Sequence, residues 1–377
     1  MKPDQYKKEI IKIKACEAMY LYGAGDVAKE AYFCLSKEPY SIRVDAFLVS
    51  EINSNTPSEI EGVPVTTCDD EKINKDGMVI IAVLEKYRDE ICKVLDENNM
   101  NNRILMTFES DLWSEIRSFS FKEHCNSNKY PYIFDLKKVE EDIIKQEEYD
   151  NKCTVYVTRS IKDKALSTKY DLRNWEKEIY GGAALDNINV EGIKDDNGLN
   201  ISEKNRKYCE LTAMYWAWKN TSSEYVGLSH YRRRFDFTDN EISVISNGYV
   251  DAVVTTPVIN VPSVEYMYGK NHDLNDWSTM KKVVENIASE YTSALDTVEK
   301  SNYYIPYNMF IMKRSVFNCY CSWLFPILEE CERIIGDKED VYQNRYIGFL
   351  AERLMTVYFY YHRNAYNIVF CNKHFLE

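Results

Sequence analysis

Residues 224–228, EYVGL, form a short apolar run that breaks directly into a polar cluster, Ser229-His230-Tyr231-Arg232-Arg233-Arg234. A run of that length without a polar face is a strand covered on both sides, which belongs in a layered α/β arrangement. In open α/β sheets the crevice beyond the carboxyl ends of the strands receives ligands. Three arginines and a histidine at such an end predict an anionic ligand, most simply a phosphate or diphosphate, because guanidinium groups match phosphate oxygens with paired donors. A plain solvated arginine run is the competing reading. The whole chain carries a formal charge of −13, so the basic knot is a local exception. An acidic chain is a poor fit to nucleic acid, whose binding rests on neutralising backbone phosphates.

The residues just before this strand read as one helix over 200–220. Asn200 is placed as its N-cap, with Glu203 three residues on as the capping-box partner. Tyr208, Leu211, Tyr215 and Trp218 recur at helical spacing, and Lys219 and Asn220 suit the C-terminus. Upstream, Asp195-Asp196-Asn197-Gly198 is a turn signal. A calcium loop would need a closing Glu at its twelfth position, where Arg206 stands, so calcium is rejected here.

A second α/β pattern occupies the first third of the chain. The apolar run 18–22 is followed by Gly23-Ala24-Gly25-Asp26-Val27-Ala28 and a helix with Val27, Ala28, Ala31, Tyr32 and Leu35 on one face. That is strand, glycine turn and helix in the Rossmann order. Further strands are expected over 44–49, 63–66, 78–83 and 104–108, with a helix over 87–95, giving a parallel doubly wound sheet. Gly23 and Gly25 allow a phosphate to approach the helix N-terminus. They serve a tight structural turn equally well, and Asp26 places a negative charge where a pyrophosphate would sit.

A chain of 377 residues expects two domains, and a hydrophobic content of 45% suffices for real cores. No apolar stretch approaches the ~18 residues of a membrane span. The first 20 residues alternate charged and apolar side chains and show no signal-peptide core. Eleven scattered cysteines without a CxxC pair read as reduced thiols of a cytoplasmic protein. The segment 139–149 is dense in Glu, Asp and Lys and reads as an exposed linking helix. The expected organisation is therefore a Rossmann-like domain over 1–120, a linker over 121–150 and a second α/β domain over 151–377. In the second domain, strands are expected over 153–158, 250–255, 307–312 and 367–370. Helices are expected over 277–287, around 316–327 with a kink at Pro326, and over 345–360.

Five blocks of the second domain carry a resemblance: NISEKN, YCELTAMYWAWKN, YVGLSHYRRRF, NMFIMKR and GFLAERLMTVY. Together they resemble a family of domains found in capsular polysaccharide and exopolysaccharide biosynthesis proteins. The first domain, from Tyr20 through Gly62-Val63-Pro64 to Ala82, resembles the small Rossmann-like domain that precedes sugar O-acetyltransferases and can hold a nucleotide-sugar. The resemblance implies a glycosyltransferase of the GT-A type. It would move a sugar from a nucleotide-sugar, UDP-sugars first among them, to a growing saccharide acceptor, lipid-linked at the inner face of the membrane. A peripheral membrane contact would follow from such an acceptor.

GT-A enzymes end the corresponding strand in an Asp-x-Asp motif that holds a divalent metal; this chain has His230-Tyr231-Arg232-Arg233. The resemblance thus implies Arg232 and Arg233 as catalytic groups replacing the metal, with His230 and Tyr231 binding substrate and no assigned metal ligand. Asp236 and Asp239 keep a divalent metal open as an alternative. Glu352 is the expected base for the acceptor hydroxyl, with Asp273 in reserve, and Arg353 beside it. Asn308, Asn200 and Asn205 fall in the matching blocks as substrate-binding candidates, and Gly23 and Gly25 are cofactor-binding candidates. A non-catalytic nucleotide-sugar-binding or scaffold subunit, and an NAD-linked enzyme built on the glycine turn, are the other functions considered.

Overall fold

The computed structural model describes residues 3–137, 139, 152–167, 170–185 and 191–376. The chain divides into two compact units, Met1–Ser120 and Phe121–Glu377. The division falls inside the helix Asp111–Asn128. The polar stretch 126–128 forms that helix's last turn, with side chains bonded back to the helix: Asn128 donates to the His124 carbonyl at 2.8 Å and Asn126 to Glu123 at 3.1 Å. Most of the linking helix expected over 139–149 lies outside the described residues.

The first unit is an α/β sheet. Its strands are β1 (Met19–Tyr22), β2 (Ala46–Val49), β3 (Glu59–Ile60), β4 (Val63–Thr67), β5 (Met78–Ile81) and β6 (Arg103–Leu105), in the order β3-β4-β2-β1-β5-β6. All neighbours are parallel except β3, which forms a hairpin with β4. All four residues of β1 and all four of β5 are buried, as strands covered on both faces must be. Gly23 sits at φ +117°, and a Cβ there would come within 3.0 Å of the Ala82 carbonyl oxygen. Only glycine fits that turn. Gly25 is the N-cap of the helix Asp26–Leu35 and faces open space.

The second unit is built on a mixed sheet. Its main strands are β7 (Cys153–Arg159), β8 (Glu176–Tyr180), β9 (Ile193–Lys194), β10 (Tyr225–His230), β12 (Ala252–Thr255), β15 (Phe310–Lys313) and β16 (Ile368–Cys371). Short strands β11 (Arg233–Arg234), β13 (Val258–Ile259), β14 (Tyr303–Tyr304) and β17 (His374–Phe375) complete the set. The sheet order is β16-β12-β15-β10-β7-β8-β9. β15 runs antiparallel to β10 and β12, while β7, β8, β9 and β10 are mutually parallel and β12 is parallel to β16. Val155, Val253 and Ile311 carry the core across the middle strands, each with no exposed surface. Burial of that kind contributes about 1.5–3 kcal/mol per side chain.

Three local expectations are corrected. The helix expected over 200–220 is broken: a turn of 3-10 helix, Ser202–Lys204, and a short helix, Asn205–Tyr208, precede the main helix Leu211–Asn220. The break is at Cys209, whose φ of +50° no helix accommodates. Asn200 caps no helix; its Oδ1 accepts from the Ser202 N–H at 3.2 Å in a local turn. The strand expected from residue 307 begins only at Phe310, because Tyr307 and Asn308 are both left-handed, at φ +74° and +50°. The helix Arg314–Ile335 runs on across Pro326. Among the described residues no helix is long and apolar enough to cross a membrane.

Candidate active site

In chain order β7, β8 and β9 step outward on one side, and β10 then returns to the opposite side of β7. The topological switch point, where α/β sheets open a ligand crevice, therefore lies between the carboxyl ends of β7 and β10. A cleft of about 610 Å³ opens there. β7 contributes Thr158 and Arg159 to its wall, β10 contributes His230, and Tyr231 follows. The two strand ends are tied together: Tyr231 N–H donates to the Thr158 carbonyl at 3.0 Å, and the Thr158 hydroxyl donates to the Ser229 carbonyl at 3.0 Å.

The cleft is basic. Arg159, Lys162, Arg206, Lys338 and Arg345 line it, against two carboxylates, Asp163 and Glu210. Several of the cations are held by second groups. Arg159 pairs with Glu178 at 2.9 Å, and Lys338 pairs with Asp276 at 2.7 Å and Asp273 at 3.0 Å. Arg345 donates from Nε to the Cys209 sulfur at 3.2 Å. Burial raises the Asp163 carboxyl above the usual range, and Arg159, His230 and Arg232 oppose that shift.

One wall of the cleft is shaped by the fully buried Asp195. Its two oxygens accept from the Gly182 and Ala183 N–H groups at 2.8 and 3.0 Å and from the Ser202 hydroxyl at 2.5 Å. Asn205 lies against this loop: a Cβ at Gly182 would come 2.6 Å from the Asn205 Cγ, and Gly182 itself sits at φ +71°. The Asn205 amide donates to the Cys209 carbonyl and the Thr212 hydroxyl, at 2.8 and 2.9 Å. That closes the strained bend that turns Glu210, the first residue after it, toward the cleft.

Behind Glu210 lies a connected network. Asn308 Nδ2 donates to Glu210 Oε1 at 2.7 Å and to the Gly348 carbonyl at 3.3 Å. His230 Nε2 meets the Tyr307 carbonyl at 2.7 Å, and the Tyr307 N–H donates to Glu352 Oε1 at 2.7 Å. The other Glu352 oxygen pairs with Arg353 at 2.7 Å. Two successive non-glycine residues in the left-handed region cost on the order of 1–3 kcal/mol each, and such strain clusters at functional sites. Here His230, Glu210 and Glu352 hold it in place. Burial lowers the His230 imidazole and raises the Glu352 carboxyl; for His230 the nearby Glu210 opposes the shift.

The structure thus brings together His230, Tyr231, Asn205, Asn308, Glu352 and Arg353, and adds Glu210, which sequence reasoning missed. The arginine run divides. Tyr231 and Arg232 form a two-residue turn that pairs His230 with Arg233, so the chain doubles back and β11 joins β17. Arg233 stacks its guanidinium over Tyr307 at 4.6 Å, Arg232 lies 5.4 Å from the Tyr231 ring, and neither lines this cleft. Arg234 is buried in an ion pair with Glu176 at 2.9 Å. Asp273 caps the helix Leu274–Ile287 through the Asn275 N–H and braces Lys338 from behind. Asp236 pairs with Arg173 at 3.2 Å, and among the described residues no cluster of three or more His, Cys, Asp or Glu side chains is placed to share a metal ion.

The family model that matches this chain spans residues 167–364, just over half of its length. The chain belongs to the family described as a domain of unknown function, DUF4422. The DUF4422 match takes in Asn205, Glu210, His230, Asn308, Lys338, Arg345 and Glu352, and begins just after Arg159 and Asp163. Among solved structures the chain is similar to the apo form of the bifunctional glycosyltransferase WbbM, with 24% identity and a TM-score of 0.52. That likeness covers 59% of this chain and 44% of WbbM, so the chain spans less than half of the enzyme it matches, and what they share is the fold. No curated protein matches the chain.

Of the cleft cations, Arg159 carried a signal in the sequence, whereas Lys338 and Arg345 carried none. Arg159 ends a parallel strand just as His230 does, and the same crevice rule applies to it. Lys338 and Arg345 stand in a polar loop between two long helices, and nothing local ties them to the sheet.

Proposed function

We propose that the DUF4422 unit is a glycosyltransferase that binds a nucleotide-sugar, UDP-linked first among the candidates, through its diphosphate in the basic cleft. The observation that carries this reading is the convergence of five cations at the switch point of a mixed α/β sheet, in a chain whose net charge is −13. Placed charge of this kind stabilises a departing diphosphate, and preorganised electrostatics of that sort is the largest single contribution in many enzymes. Arg232 and Arg233 add positive potential from behind Tyr231.

In the transfer step the bond from the sugar's anomeric carbon to the diphosphate oxygen breaks. A bond to an acceptor hydroxyl oxygen forms, and the hydroxyl proton passes to a carboxylate. Of the two carboxylates that line the cleft, Glu210, fixed by Asn308, accepts that proton; Glu352, with its oxygens taken by the Tyr307 N–H and Arg353, positions the strained turn. The acceptor is a growing capsular or exopolysaccharide chain, lipid-linked at the membrane face.

Calorimetric titration with UDP, GDP and CMP, followed by hydrolysis assays on the matching sugar nucleotides, tests the reading. Binding of one of them with a Kd in the micromolar range, and hydrolysis cut at least 100-fold by Glu210→Gln, is expected. Absence of binding by all three would remove it.

A further inference from the structure

The second unit holds another cavity, of about 500 Å³, within the range of about 300–1,000 Å³ common for small-molecule sites. We propose that this cavity is a saccharide-binding subsite that seats the acceptor chain away from the reacting hydroxyl; the acceptor role rests on the transferase reading above.

The lining of the cavity carries the argument. Aromatic rings from four separate segments meet in it, among them His124, Tyr130, Tyr303, Tyr360 and Phe370. Tyr130 and Tyr360 stand edge to face at 5.6 Å, and His124 and Tyr303 lie 4.8 Å apart. Polar groups share the wall: Asn128, Thr297 and Asp296, together with the tyrosyl side chains themselves. Saccharides present apolar C–H faces bordered by hydroxyls. Flat amphipathic rings mixed with amide, hydroxyl and carboxylate groups answer both parts of that surface. An isoprenoid tail would match the rings alone and leave the polar part of the wall unanswered.

The cavity is joined to the candidate active site through one helix and one strand segment. The helix Tyr346–Tyr361 places Glu352, Thr356 and Tyr360 at four-residue steps along one face. Thr356 and Tyr360 line the cavity, and Glu352 holds the Tyr307 N–H. The Thr356 hydroxyl donates to the Glu352 carbonyl at 3.1 Å and accepts the Ile305 N–H at 2.8 Å. Tyr303 and Ile305 form cavity wall, and Asn308, three residues on from Ile305, holds Glu210. The five steps from Tyr303 to Asn308 span at most roughly 18 Å. A short oligosaccharide bridges that distance.

Saturation-transfer NMR with the methyl glycosides of galactose, glucose, rhamnose and N-acetylglucosamine tests the site, on the full chain and on Thr297→Arg. Thr297 is exposed on the helix Thr292–Lys300, so the new side chain fills the cavity mouth without disturbing the core. Tyr360→Phe, which keeps the ring, serves as a second variant for the hydroxyl. The expected result is transfer to at least one glycoside, reduced at least tenfold by Thr297→Arg, with UDP binding unchanged. Transfer to none of the four, equal transfer in Thr297→Arg, or transfer to farnesyl phosphate in place of the glycosides overturns the inference. Lack of binding of UDP, GDP and CMP alike by the wild type, with glycoside transfer intact, overturns the transferase reading and the acceptor role with it.

Discussion

Asn308 and Glu210 face each other across a single 2.7 Å hydrogen bond, and each comes from a residue next to strained backbone. Cys209, at φ +50°, precedes Glu210; Asn308, at φ +50°, follows Tyr307 at +74°. The bond therefore fixes the cleft carboxylate to the one turn that also touches His230 and Glu352.

Replacing Asn308 separates the bond from the strain. Asn308→Ala removes the donor and leaves a β-carbon in a left-handed conformation, so a loss of about 2–3 kcal/mol is expected. Asn308→Gly removes the same donor but accepts the conformation freely, and should lose about 1 kcal/mol less. Urea denaturation of both variants checks this. Equal losses would show that the turn stores no strain.

Arg234 and Glu176 form a buried pair, with side chains 4% and 0% exposed. Arg234→Ala leaves an unpaired carboxylate in the interior and is expected to cost about 3–5 kcal/mol. The double change Arg234→Met with Glu176→Met should restore most of that stability, because neither charge is then stranded. Arg232→Ala, on the surface turn, should cost far less. Thermal unfolding of the four proteins gives the ranking; a stability loss for Arg232→Ala as large as that of Arg234→Ala would contradict it.

The contrast between these arginines shows how far the sequence could be read. Apolar runs such as 78–81 and 225–228 marked buried strands because burial on both faces is a local composition signal. Adjacent arginines look alike in a sequence, yet strand geometry sends Arg233 and Arg234 to opposite faces. The partner that settles Arg234, Glu176, lies 58 residues away. The breaks at Cys209 and at Tyr307–Asn308 left no signal for the same reason. No glycine marks them, and the bonds that impose them come from Asn205, Glu352 and His230. Arg345 and Lys338 reach the cleft only by the fold.

His272 makes stability depend on pH. Its ring stacks on Phe349 at 4.0 Å, and burial, aided by Arg353, Lys338 and Arg345, pushes its pKa down to about 4. The unfolded chain, with an ordinary imidazole near 6.5, binds the proton more readily between those values. Stability is thus fully present above about pH 6.5 and falls as pH drops toward 4. In His272→Phe that part of the fall should vanish. Urea midpoints for both proteins from pH 7 to pH 4 measure it; parallel curves would remove His272 from the effect.

The cleft cations predict how a nucleoside diphosphate binds. Arg345 is exposed at the rim, so removing it leaves the core intact. Lys338 pairs with the buried Asp276, so its removal also costs stability and its effect on binding is read below the unfolding transition. A charge-assisted bond to phosphate contributes about 1.5–3 kcal/mol, so Arg345→Ala and Lys338→Ala should each raise the Kd for UDP by at least about tenfold. Arg345 acts through solvent, and the Debye length falls from about 10 Å at 0.1 M salt to about 3 Å at 1 M. Wild-type affinity should therefore drop as salt rises, and the drop should be shallower in Arg345→Ala. Lys338 is further enclosed, and its removal should alter the salt slope less. Calorimetric titrations of UDP at several salt concentrations, on all three proteins, decide between this arrangement and a diphosphate held by Arg232 and Arg233. If those two grip the phosphates, Arg345→Ala binds UDP like the wild type and Arg232→Ala loses the affinity in its place.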